Sequence, residues 1–188
     1  LLTWMITISD NDATRILMRV LRPELINRSL AQWGCDRTQL RSHLPSWYGD
    51  EKRTNYTTVS EMLKLFRLIF DKTQFSPEET TRMVRLLEQQ TLNDEMPRYL
   101  PKALSIGHLT GLLANVMNDA GIVTLFKRHY ILCILSEGRM GPVEQSNALG
   151  RISRLVYNYF SYNRGPFLLG AGNKRRAGVL LLAGQAYA

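Results

Sequence analysis

Asp119-Ala120-Gly121-Ile122-Val123-Thr124-Leu125-Phe126-Lys127-Arg128-His129-Tyr130-Ile131-Leu132-Cys133-Ile134-Leu135-Ser136 decides the fold class. Two apolar runs of strand length, 119–126 and 129–136, flank the charged pair Lys127-Arg128. Runs rich in Ile, Val and Leu with a two-residue break predict an antiparallel hairpin. Lys-Arg is not the Asn-Gly chemistry that such turns favour. Residues 102–109 read as a third strand. Pro142 or Val143 then opens a helix to about Phe160, with Ile152, Leu155, Val156 and Tyr159 spaced to pack on the sheet.

Before the strands the period is helical. Leu1, Trp4, Met5 and Ile8 recur at i, i+3, i+4 and i+7, in phase from the first residue and with no cap before them. That predicts a further segment upstream. Ser9-Asp10-Asn11-Asp12 breaks this helix with short polar side chains that favour turns and caps. Ala13, Ile16, Leu17, Val20 and Leu21 resume the stripe. Pro23 suits the first position of a helix over 23–33, closed by Gly34. Thr58-Val59-Ser60-Glu61 and Ser76-Pro77-Glu78-Glu79 read as capping boxes opening two more helices, to about Asp71 and Gln90. Residues 35–56 and 91–101 read as loops. Helices, then a three-strand antiparallel unit, then a closing helix make an α+β domain over 1–160. Residues 161–188 form a Gly-rich, basic and then apolar tail.

At 45% hydrophobic and 21% charged residues, a chain of 188 can bury one ordinary core. No apolar run is long enough to cross a membrane. Of the net charge of +8, half comes from Arg164, Lys174, Arg175 and Arg176 in the tail. That charge is read as a solvated tail, not as a nucleic-acid site. Cys35 and Cys133 fit neither zinc spacing nor a disulfide framework and read as two buried thiols, with one long-range disulfide as the alternative. His43, His108 and His129 are scattered, so no metal site and no cofactor is expected. Gly170–Arg175 lacks the strand and helix of a phosphate loop. Tyr157, Tyr159, Phe160 and Tyr162 read as packing residues.

Three segments resemble class A β-lactamases and penicillin-binding-protein-like serine hydrolases. Ser9-Asp10-Asn11 stands where that family has Ser-Asp-Asn. Leu109-Thr110-Gly111, after Gly107-His108 and before Asn118-Asp119-Ala120-Gly121, resembles its Lys-Thr-Gly strand and the strand that follows. Asn55–Met62 looks like its helix start after the omega loop. Order and spacing agree from residue 1 to about 160. The resemblance implies a β-lactamase-like fold with a helical subdomain and antiparallel sheet. It also implies acyl transfer from a β-lactam or peptidoglycan-like acyl donor to a serine, and an extracytoplasmic bacterial location.

The resemblance assigns Ser9 as a proton shuttle, Asn11 as a substrate-amide contact, and Thr110 and Gly111 as substrate-binding positions. The alternative for Ser9 and Asn11 is a helix cap; for Thr110 and Gly111 it is an ordinary strand end. Several parts are missing. No Ser-x-x-Lys stands at a helix start, and Thr124–Lys127 matches only by chance. Leu109 replaces the family's lysine, and alternation points His108 to the opposite face. The omega-loop glutamate position falls near Leu40-Arg41; Glu51 is out of register, and Asp36 and Asp50 do not supply it. Two expectations follow: an inactive β-lactamase-like subunit, or the C-terminal part of an active hydrolase whose nucleophile lies upstream. Strand 129–136 would have an apolar open edge, which invites pairing. An upstream segment, another chain or tail residues 177–183 are expected to cover it, so that the domain works inside a larger unit.

Overall fold

The structure is a computed structural model. It describes residues 1–41, 55–71, 73–113, 115–125, 128–138 and 140–162, and the backbone of 178–183. Five helices come first: α1 Leu2–Thr7, α2 Asn11–Leu21, α3 Pro23–Gln32, α4 Val59–Leu68 and α5 Pro77–Leu87. Strands β1 Ser105–Leu113, β2 Val116–Leu125 and β3 Arg128–Glu137 follow, then α6 Pro142–Tyr162 and β4 Gly178–Ala183. The sheet order is β1-β2-β3-β4. β1, β2 and β3 pair antiparallel, as expected, and β4 lies parallel to β3 from Tyr130↔Gly178 to Leu135↔Ala183. A tail strand therefore covers the apolar edge of β3.

Capping chemistry sets the helix starts. Asp10 accepts from the Ala13 N–H at 2.6 Å and caps α2. Ser76 and Glu79 form a complete capping box at α5, with Pro77 at its first position. The expected box at α4 is only half made. Thr58 accepts from the Glu61 N–H, but the Glu61 carboxylate turns away to the Arg37 N–H and the Thr38 hydroxyl, at 3.0 and 2.6 Å. Gly34 closes α3 with a φ of +68°, which glycine adopts without strain.

The sheet separates two apolar clusters. On one face Met117, Val123, Leu125, Tyr130, Leu132 and Ile134 pack against Leu149 and Val156 of α6. On the other, Ala120, Ile122, Ile131 and Cys133 meet Leu63 and Phe66 of α4 and Leu87 of α5. Both thiols are free and buried. Burial pushes the Cys133 thiol up to about 12, which leaves it unreactive.

Four sequence expectations are corrected. Arg128 pairs with Leu125 and belongs to β3, so it is not a turn residue; Lys127 lies outside the described residues. The first strand starts at Ser105, not 102, and runs on to Leu113, because pairing continues to Leu113↔Val116. Thr110 and Gly111 are consequently mid-strand residues and not a strand end. Leu155 and Tyr159 are exposed, because α6 turns Leu149, Ser153 and Val156 to the sheet. Asn55 and the start of α4 are described, but most of the expected omega loop (42–54, with His43, Asp50 and Glu51) is not, nor is the basic stretch 163–177.

Gly121 permits the closest approach in the sheet. A Cβ there would stand 2.5 Å from the His108 Cβ and 2.6 Å from the Gly107 carbonyl oxygen. Neither neighbour is a flexible chain end, so overpacking here is costly. Gly121→Ala is expected to destabilise the fold by roughly 3 kcal/mol, read as a lower urea midpoint. An unchanged midpoint would show that β1 yields freely.

Candidate functional site

The turn between α1 and α2 presents Ser9 and Asn11. Capping explains only Asp10; Ser9 and Asn11 are exposed. Among the described residues the Ser9 hydroxyl has no hydrogen-bond partner. Ser9 also holds a φ of 52°, a region that non-glycine residues enter at a cost of about 1–3 kcal/mol when the surroundings fix it. Two hydrogen bonds from Thr91, N–H and hydroxyl, hold the Thr7 carbonyl at 2.9 and 3.0 Å. The Gln90 side chain donates to the Ile6 carbonyl at 2.9 Å.

Thr110 and Gly111 lie on β1, the edge strand opposite β4. Register puts Thr110 across from Asp119 and Gly111 across from Asn118, so the two face opposite sides of the sheet. Leu109 shares the face of Gly111 and packs, half-buried, against the cluster of Leu63, Phe66, Ala120 and Ile122. Ile6, three residues before Ser9, packs on the same cluster. Among the described residues, no hydrogen bond joins Ser9 or Asn11 to Thr110 or Gly111.

The other face of β1 carries a polar network that the sequence reading passed over. His108 Nδ1 lies 2.9 Å from Asp119 Oδ1, and both side chains are almost wholly buried. The Met96 N–H donates to Asp119 Oδ2 at 2.9 Å, and Asn93 Oδ1 faces His108 Nε2 at 3.2 Å. Asn93 donates through Nδ2 to the Thr91 carbonyl, so its oxygen is turned to the ring. The signal in the sequence was the pair His108 and Asp119, two polar residues inside predicted strands. Burial raises the Asp119 pKa against the lowering pull of His108 and the Met96 N–H. Glu95 next to it is buried, with Oε2 unpartnered. Desolvation and then the Asp119 charge raise its pKa.

Helices on one face of an antiparallel sheet, with a closing helix on the other, make a β-lactamase-like fold. The beta-lactamase enzyme family matches residues 1–160, and the chain belongs to that family. A β-lactamase of Bacteroides uniformis is 28% identical over 115 residues, which is 55% of this chain and 39% of that protein. The solved β-lactamase of Sphaerobacter thermophilus superposes with a TM-score of 0.77 at 24% identity, over 85% of this chain and 61% of its own. A mutant PBP-A, solved as an acyl-enzyme complex with penicillin G, superposes with a TM-score of 0.70 at 27% identity, over 85% of this chain and 60% of its own. The chain thus spans less than two thirds of the length of each of these relatives. Among the described residues, no helix is long and apolar enough to cross a membrane.

A carboxyl held above its ordinary value adds stability that is complete below that value and is lost as the pH rises through the raised one. For Glu95 the ordinary value is 4.5. Glu95→Gln should therefore gain on the parent chain as the pH climbs from there to neutrality, measured as the difference in urea midpoints. A difference that stays constant over that range would contradict the raised value.

Proposed function

We propose that this chain is a β-lactamase-like domain that binds a β-lactam or peptidoglycan-like ligand, or serves as a structural subunit, without turning the ligand over by itself. Leu109 carries this reading. It stands where the family resemblance places a lysine, and its side chain is built into the apolar cluster between sheet and helices. An apolar side chain supplies no positive charge beside a substrate carboxylate or a serine. Residues 1–188 hold no Ser-x-x-Lys at a helix start, so they supply neither the nucleophile nor the partner lysine that opens a β-lactam in the family.

On this reading Ser9 and Asn11 on the turn, and Thr110 and Gly111 on the open edge strand, line the ligand groove. The exposed, unpartnered state of Ser9 and its left-handed backbone support a functional position, because such conformations concentrate at binding and catalytic sites. The acyl-enzyme complex of PBP-A with penicillin G supports a β-lactam as the probe ligand. An extracytoplasmic bacterial location accompanies the family membership in this proposal.

A second reading is favoured by the share of the relatives that the chain spans, 61% of the Sphaerobacter structure. The chain is then the C-terminal part of an acyl-transferring serine hydrolase, with the nucleophile supplied from outside these residues. The two readings differ in what a full-length protein does, not in what this chain does. The 188-residue chain is expected to show no nitrocefin hydrolysis above background, since losing nucleophile and base together removes orders of magnitude in rate. Penicillin G titrated into it in a calorimeter should bind reversibly. Turnover by this chain, abolished in Ser9→Ala, would overturn the proposal of an inactive domain.

A further inference from the structure

The two halves of the candidate site are borne by different layers. Ser9 and Asn11 sit in the helical layer, and Leu109–Gly111 sit on the sheet. Residues 90–96 bond to both. The Gln90 side chain takes the Ile6 carbonyl, and Thr91 takes the Thr7 carbonyl with both its N–H and its hydroxyl, two residues before Ser9. Gln90 Oε1 in turn accepts from the Thr91 and Leu92 N–H groups, both at 3.0 Å, so the side chain that reaches α1 is itself fixed. Three residues on, Asn93 Oδ1 faces His108 Nε2, next to Leu109, and the Met96 N–H is taken by Asp119, across from Thr110.

The segment is anchored from behind as well. Ser146 of α6 donates to the Asp94 carbonyl, and a Cβ on Gly150 would meet the Glu95 carbonyl oxygen at 3.2 Å, so α6 seats closely on this stretch. Asp119 and His108 cannot relax toward water, because both are buried. A buried carboxylate must find its hydrogen bonds inside the protein, and the Met96 N–H and His108 are the ones provided. The conformation of 93–96 is thereby tied to the register of β1 on β2.

We propose that residues 90–96 are the positioning element of the candidate site: Gln90 and Thr91 hold the end of α1, Asn93 and Met96 hold His108 and Asp119, and the distance between the Ser9 turn and the Leu109–Gly111 strand is set by this strap. The proposal rests on the reading of Ser9, Asn11, Thr110 and Gly111 as a ligand groove. Asn93 and Thr91 are positioning residues; neither is assigned to the ligand. Loosening the strap changes the groove without removing any group that lines it.

The test uses the full chain and two exposed positions whose replacement spares the core, Asn93→Ala and Thr91→Val. Hydrogen exchange is followed at the Asp10 amide, bonded to the Trp4 carbonyl, and at the Met96 amide, with the β3 amides as the internal control. Thr91→Val removes one hydrogen bond, whereas Asn93→Ala removes the contact with His108 and the two bonds to the Gln90 and Thr91 carbonyls, so exchange should quicken at Asp10 and at Met96 about tenfold in Thr91→Val and at least as much in Asn93→Ala, with β3 changed less than about twofold. The crossed effect that decides the matter is Thr91→Val acting at Met96, because Asn93 itself bonds to the Gln90 and Thr91 carbonyls. Penicillin G affinity should fall about tenfold in both. Exchange confined to the Asp10 end of the strap in Thr91→Val, or quickened equally in β3, would overturn the proposal. If the parent chain binds no penicillin G while the crossed exchange effect appears, the functional reading fails and the coupling stands.

Discussion

A carboxylate at the centre of the sheet dictates much of what surrounds it. Asp119 is fully withdrawn from water, and an ionised group in such a place is tolerated only when its oxygens are hydrogen-bonded. One oxygen goes to His108 on the neighbouring strand, the other to the Met96 N–H. From these two bonds follow the fit of His108 over Gly121, the path of the 93–96 segment, and the seating of α6 at Gly150 against that segment. Removing one partner would leave a buried polar group without its hydrogen bond, which costs more than the loss of an exposed one.

The same strand divides polar from apolar chemistry by alternation. On β1, His108 faces the network beneath α6, while Leu109 faces the cluster shared with α4 and α5. A lysine at 109 would have to carry its ammonium out of that cluster to reach water. Leucine is instead held by it and contributes to the packing between layers. The substitution therefore joins the two layers at the point where the family resemblance places a charge.

The sheet's two edges differ in kind. β3 is apolar on both faces, and its edge is covered by the parallel strand Gly178–Ala183. Among the described residues no strand pairs with the outer edge of β1, which offers backbone groups beside Thr110 and Gly111. Backbone N–H and C=O groups on an open edge are available to pair with an extended or amide-bearing segment.

Local chemistry made much of this legible without a structure. Hydrophobic period separated helices from strands, the Ser76–Glu79 box and Pro77 fixed the start of α5, and Gly34 marked the end of α3. Each depends on groups within a few residues of one another. The apolar character of 129–136 announced a strand that needed neighbours on both sides. Tertiary structure alone decided which partner each long-range group took. Glu61 abandons the local box because Arg37 and Thr38 are brought within reach. Leu155 and Tyr159 are exposed because α6 is rotated by its seating on the sheet and the 95–99 segment. The sequence showed His108 and Asp119 as polar residues in predicted strands but not their pairing with each other and with Asn93, because the three come from different elements and their bonds exist only once the strands are in register. A sequence specifies its short-range hydrogen bonds by spacing; its buried polar contacts are specified by burial, which is a property of the whole fold.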